Sequence, residues 1–164
     1  MSQSYFYCET WSLGYQKAHN LLSEEEAYQR HLKGKPYTVL VGSNSRPSCV
    51  ISIIKTKDFV SVEFLDDNLK EYLSYQFHVL ENEKLFLAMV VYREFAEKEG
   101  EGEGLLNVSK GTCFFYKKDG TYTIREETFK PHTVIEKEGF SDLKENYDTF
   151  PEFGCYESLI QKER

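Results

Sequence analysis

Val60-Ser61-Val62-Glu63-Phe64, Leu73-Ser74-Tyr75-Gln76-Phe77-His78-Val79 and Leu85-Phe86-Leu87-Ala88-Met89-Val90-Val91 follow one another between Cys49 and Phe95 with only short polar turns between them. Apolar residues recur at every second position: Val60, Val62 and Phe64, then Leu73, Tyr75, Phe77 and Val79, then Leu85, Leu87, Met89 and Val91. A period of two is the signature of strands with one buried face, and the short turns make them an antiparallel meander. Lys57-Asp58, Asp66-Asp67-Asn68 and Glu81-Asn82-Glu83-Lys84 supply turn-tolerant residues between the runs. In the last run both alternations are apolar, since Phe86, Ala88, Val90 and Tyr92 oppose the first set. That strand is expected to be central and covered on both sides.

Working outward, Tyr5 to Thr10 reads as a first strand, while Trp11 to Leu22 is ambiguous. Ser23 followed three residues later by Glu26 is a capping box, and it predicts a helix from Glu24 to about Lys33. Glu24, Glu25 and Glu26 suit the positive end of its dipole, and Gly34 with Pro36 ends it. Tyr37 to Val41 is a short β-branched run of a buried strand, followed by a polar loop from Gly42 to Ser48. Glu97-Lys98-Glu99-Gly100-Glu101-Gly102-Glu103-Gly104 has no apolar anchor, which predicts a mobile acidic loop within the domain. Thr112 to Lys118 and Thr121 to Phe129 flank Asp119-Gly120, a pair suited to a two-residue type I′ hairpin turn. After Pro131 the periodicity fades, and one or two short C-terminal helices are expected to pack on the sheet.

With 164 residues and no linker, the chain is expected to form one α+β domain: a twisted, mostly antiparallel sheet with an N-terminal helix and short C-terminal helices as cover. The net charge of −7 disfavours capture of nucleic acid or of an anionic membrane surface and favours a basic partner. Twelve Tyr and twelve Phe against one Trp enrich both sheet cores and binding faces. Cys8, Cys49, Cys113 and Cys155 stand far apart, with no zinc-type spacing, and the chain opens without a basic and apolar leader. A cytoplasmic protein with reduced thiols is the expectation, with no metal and no cofactor.

Catalytic signals are sparse. Gly100, Gly102 and Gly104 lack the spacing of a phosphate loop and are interleaved with glutamates that repel phosphate. Acid/base hydrolysis has one candidate set, Glu63 near Asp66 and Asp67. Nucleophilic catalysis would pair Cys49 or Cys113 with His78 or His132, without supporting local context. Phe114, Phe115 and Tyr116 beside Lys117 and Lys118 are the nearest approach to a base-stacking platform, against the overall acidity. Tyr72, Ser74, Gln76 and His78 form the polar side of one strand.

In size, acidity, lack of catalytic motifs and phrases such as Phe64-Leu65-Asp66-Asp67, Tyr72-Leu73-Ser74-Tyr75-Gln76-Phe77, Tyr92-Arg93-Glu94-Phe95 and Phe150-Pro151-Glu152-Phe153-Gly154, the chain resembles immunity proteins of bacterial polymorphic toxin systems of the Rhs and contact-dependent-inhibition kinds. The resemblance implies a cytosolic inhibitor that occludes a cognate, basic toxin domain and performs no chemistry. On that reading Asp66, Asp67, Glu97, Glu99, Glu101 and Glu103 steer the encounter, and Tyr72, Tyr92 and Tyr156 serve as desolvated anchors. Two other classes fit the composition: an apolar-ligand carrier with a pocket between curved sheet and helix, and the Glu63 hydrolase.

Overall fold

A computed structural model describes residues 3–163. Ten strands lie side by side in one antiparallel sheet: β1 (Tyr5–Ser12), β2 (Lys17–Leu22), β3 (Tyr37–Val41), β4 (Cys49–Ile54), β5 (Phe59–Leu65), β6 (Glu71–Val79), β7 (Lys84–Phe95), β8 (Val108–Tyr116), β9 (Thr121–Thr128) and β10 (Thr133–Phe140). Their order across the sheet is β10-β9-β8-β7-β6-β5-β4-β3-β1-β2, and β11 (Tyr147–Thr149) pairs with the start of β7. Strands next to each other in sequence are neighbours in the sheet, as short turns require, with two exceptions: β3 lies beside β1 instead of β2, and β11 beside β7 instead of β10. The only α-helix among the described residues, α1 (Glu24–Leu32), joins β2 to β3. The molecule is therefore an α+β domain built on a single sheet.

Ser23 caps α1 by accepting the Glu26 N–H at 3.1 Å, and Gly34 leaves the helix with φ +68°. Apart from exposed Tyr28 and Leu32 the rest of the helix is polar, and it buries only Ala27, so its stability comes from where it is docked. It lies on one face of the sheet with the C-terminal segment. Beneath them the register aligns rows such as Tyr37, Ile53, Val60, Phe77 and Leu87, and Val39, Ile51, Val62, Tyr75 and Val90. These rows form the main core with Ala27, Phe150, Tyr156 and Leu159. A smaller cluster on the opposite face joins Cys8, Leu40, Val50, Leu65 and Leu69 to Trp11, Leu13 and Ala18.

Trp11 to Leu22, ambiguous in sequence, is the β1–β2 hairpin. Left-handed Asn20 (φ 53°) drops out of its pairing without shifting the register, and its tip crosses the second face so that Gln16 Nε2 donates to the Asn68 carbonyl at 2.8 Å. The hairpin thus covers apolar surface that the sheet alone leaves open.

Four local expectations change. In β6–β7 the register passes from Gln76 opposite Met89 to Phe77 opposite Leu87, so Ala88 is a bulge residue. A bulge reverses the alternation, which puts Val90, not Met89, on the face of Leu85 and Leu87. Strand β7 is nevertheless central, with Leu85, Phe86, Leu87, Val90 and Val91 buried. In the β8–β9 turn only Gly120 takes positive φ (+97°), whereas type I′ requires it at Asp119 too. The turn runs Lys117 to Gly120, closed by the Gly120 N–H on the Lys117 carbonyl, with Asp119 Oδ1 accepting the Thr121 N–H at 2.9 Å. Beyond Pro131, β10 forms where the sequence shows no period, because neither of its faces is buried. The C-terminal cover consists of a single 3-10 turn, Lys144–Asn146, the short strand β11 and a coil with turns in place of helices; Asn146 Nδ2 donates to the Leu87 carbonyl at 2.9 Å.

Candidate functional site

Sheet topology brings the acidic segments together. The β5–β6 turn (66–70) and the β7–β8 loop (96–107) both leave the end of the sheet at which Leu73 pairs with Tyr92. Lys70 lies over the Phe95 ring at 5.0 Å, linking the two segments. Glu97, Glu99, Glu101 and Glu103 are exposed, as is Asp67. Asp66 turns inward instead. Its Oδ1 accepts the N–H groups of Asn68 (2.8 Å) and Lys70 (2.9 Å), which makes it the fastener of its own turn.

The 96–107 loop is organised around Asn107, whose Oδ1 accepts from Gly102 N at 2.6 Å and whose Nδ2 donates to the carbonyls of Ala96 (3.2 Å) and Lys98 (2.9 Å). Gly102 is pressed against the Asn107 backbone so closely that a Cβ there would collide with it. The four glutamates are thus displayed on a loop of defined path. Like charges so close attract a cationic partner over about one Debye length, roughly 8 Å at physiological salt.

The main-core face runs on past its cover. In register rows, Val90 continues to Phe114 and Ile124, and Tyr92 to Thr112 and Glu126. Neither α1 nor the C-terminal coil reaches the outer strands, and the result is a ladder of rings: Tyr92 to Phe114 at 6.0 Å, Phe114 to Tyr116 at 6.3 Å and Tyr116 to Tyr122 at 6.3 Å. Tyr92 is 44% exposed. A cleft of about 150 Å³, close to the volume of one large side chain, opens between Phe114, Tyr116, Tyr122 and Ile124. Partial burial raises the Tyr116 phenol above its ordinary value, so that hydroxyl stays neutral at physiological pH. Rings with a polar tip beside carboxylates have the composition of a recognition surface.

The other anchors fall elsewhere. Tyr72 sits at the β5–β6 register shift, half-buried under the Lys162 ammonium at 5.7 Å. Tyr156 is 0% exposed: its hydroxyl meets that of Tyr37 at 3.1 Å and its ring packs edge-on against Tyr5 at 5.0 Å. As a core residue it offers nothing to a partner. Phe114, Tyr116, Tyr122 and Ile124 were not brought together by the sequence reading, although alternation across the Asp119-Gly120 hairpin places all four on one face.

No family model, curated protein or solved structure matches the chain. The site must be judged on its own geometry.

Glu63 lies on the opposite face, diagonal to Glu71 and near Arg93. Its carboxyl is pushed up to about 7, first by desolvation and then by Glu71, with Arg93 pulling the other way. Arg93 Nη1 stands 3.1 Å from Glu71 Oε2, near enough for ion pairing but not aligned as a hydrogen bond. Asp66 and Asp67 stay in the turn and do not converge with Glu63. Cys49 lies on the main-core face and His78 on the other, and burial raises both the Cys49 and the Cys113 thiols, the reverse of nucleophile activation. His132 is held by Glu127 at 2.6 Å. Among the described residues no group of three or more His, Cys, Asp and Glu is placed to hold a metal ion, and no helix is long and apolar enough to cross a membrane. The space between α1 and the sheet is filled by Tyr7 stacked on Phe153 at 5.1 Å and by buried Ala27. A cleft of about 420 Å³ opens beside that packing, lined by Tyr5, Tyr7, Leu21, Leu22, Ser23, Glu24 and Asn44.

Proposed function

We propose that this protein is a binding protein that occludes a basic protein partner, acting in the cytoplasm in the manner of the immunity proteins it resembles. One observation carries the reading: a half-exposed aromatic ladder from Tyr92 to Tyr122 lies on the uncovered part of the sheet, next to the end that displays Asp67, Glu97, Glu99, Glu101 and Glu103. The carboxylates accelerate encounter with a cation, while the rings and their side-chain-sized cleft supply desolvated contact that slows departure. Occlusion needs only this surface and no reacting group.

Native mass spectrometry of the protein isolated gently from its host at low and high salt tests the proposal, combined with amide-exchange footprinting of the complex. A stoichiometric basic polypeptide that dissociates as salt rises, with protection over β7–β9, is the expected result. A bare chain at low salt, a bound small molecule, or protection confined to the α1 face would overturn it.

A further inference from the structure

Both lateral edges of the sheet are strands, and they differ. At one, left-handed Asn20 drops out of the β1–β2 pairing and blunts β2 as a template. At the other, β10 keeps an unbroken register with β9 over all eight residues, from Thr133 opposite Thr128 to Phe140 opposite Thr121. No described strand pairs with its outer side, so alternate residues turn their N–H and C=O groups to solvent. Nor is the edge wholly polar: Val134, Ile135 and Phe140 are 40%, 54% and 74% exposed.

The charges on β10 select what can pair with it. Val134, Glu136, Glu138 and Phe140 share one face, and Ile135 and Lys137 the other. Directly opposed residues in an antiparallel pair point to the same face, so a second copy of this chain can align only in registers that keep this parity. Centring the pair on Glu136, on Lys137 or on Glu138 sets like charges directly opposite each other. Sliding it to Ile135 leaves only residues 133–137 paired. The edge therefore rejects its own copy, while Glu136 and Glu138 call for Lys or Arg on an incoming strand.

Building on the reading that the domain binds a basic protein, we propose that β10 is its docking edge: an extended segment of the partner, with two basic residues at alternate positions flanked by apolar ones, pairs antiparallel with residues 133–140. Main-chain hydrogen bonds hold the segment, and opposition to Glu136 and Glu138 chooses it. The added strand extends the sheet next to the aromatic ladder, so one partner can engage both.

The probe is a capped octapeptide, Val-Thr-Lys-Glu-Arg-Val-Val-Thr, written to lie antiparallel to residues 140–133 with Lys opposite Glu138 and Arg opposite Glu136. Titrated into isotopically labelled full-length protein, it is expected to shift the amide resonances of β10 and β9, with weaker effects elsewhere. Glu136→Lys with Glu138→Lys, both at exposed positions, should weaken binding at least tenfold. Alternate N-methylation of the peptide should do the same in the phase that methylates the N–H groups facing β10 and have little effect in the other, whose N–H groups face solvent, without touching the protein. Shifts centred away from β10, indifference to N-methylation in both phases or to charge reversal, or no binding at millimolar peptide each overturn the docking edge. If the peptide fails while the host polypeptide still protects β7–β9, the edge alone is wrong; if no host polypeptide binds either, the binding reading falls with it.

Discussion

The hydroxyl of Tyr156 stands 3.1 Å from that of Tyr37, across 119 residues of sequence, inside the main core. His31 Nδ1 bonds the same Tyr37 oxygen at 2.8 Å, so the C-terminal coil, α1 and β3 meet at one buried polar point. Tyr156→Phe removes one hydroxyl but leaves Tyr37 its histidine, and a loss of about 1 kcal/mol is expected. Tyr156→Ala also deletes the ring that packs on Tyr5, with an expected loss of about 3–5 kcal/mol. Urea unfolding of both variants checks the ranking; equal losses would mean the hydroxyl contact, not the ring, anchors the coil.

Glu63 predicts a pH dependence of known sign. Its carboxyl is raised in the folded protein from the ordinary 4.5 to about 7, so the folded state binds its proton more tightly than the unfolded chain does. This group's contribution is most favourable below about pH 4.5, declines as pH rises to about 7, and is constant above that. Glu63→Gln keeps a neutral group of the same shape and removes the penalty. It should gain up to about 3 kcal/mol over wild type at pH 8 and almost nothing at pH 4.5. Urea midpoints at the two pH values measure it, and a gain independent of pH would contradict the assignment.

Legibility in the sequence followed burial. Residues 59–91 announce their strands because one alternation is fully covered, and Ser23 with Glu26 announces α1 because the cap is a local bond. Strand β10 was silent because Val134, Glu136 and Ile135 all face solvent, leaving no burial to write a period. The β1–β2 hairpin was obscured by left-handed Asn20, which falls out of the pairing midway along β2, and the bulge at Ala88 shifts the alternation within β7. The acidic half of the candidate site could be read from composition. The ladder of Phe114, Tyr116, Tyr122 and Ile124 could not be distinguished from core, because whether a face is covered depends on where α1 and the C-terminal coil stop.

Asn107 is expected to govern the acidic loop without governing the fold. Its φ of +56° suits Asn or Gly, so Asn107→Gly keeps the backbone accessible while deleting the three side-chain bonds to Ala96, Lys98 and Gly102. Amide exchange within 97–104 should quicken in that variant, with protection in β4–β6 unchanged. Slowed or unaltered exchange in the loop would show that its path is set by something other than Asn107.

Charge and rings should separate kinetically once the basic partner is in hand. Glu97, Glu99, Glu101 and Glu103 are exposed and make no ion pair within 4 Å among the described residues, so they act through space on the approaching partner. Replacing all four by Lys should lower the association rate about 10–100-fold at low salt and flatten its salt dependence, with dissociation little changed. Tyr92→Ala with Phe114→Ala removes desolvated contact instead, and the change should appear in dissociation, raised at least tenfold. Stopped-flow rates across a salt series resolve the two. Association that ignores the glutamates would remove the steering role from the loop, and dissociation that ignores the rings would move the contact surface off the ladder.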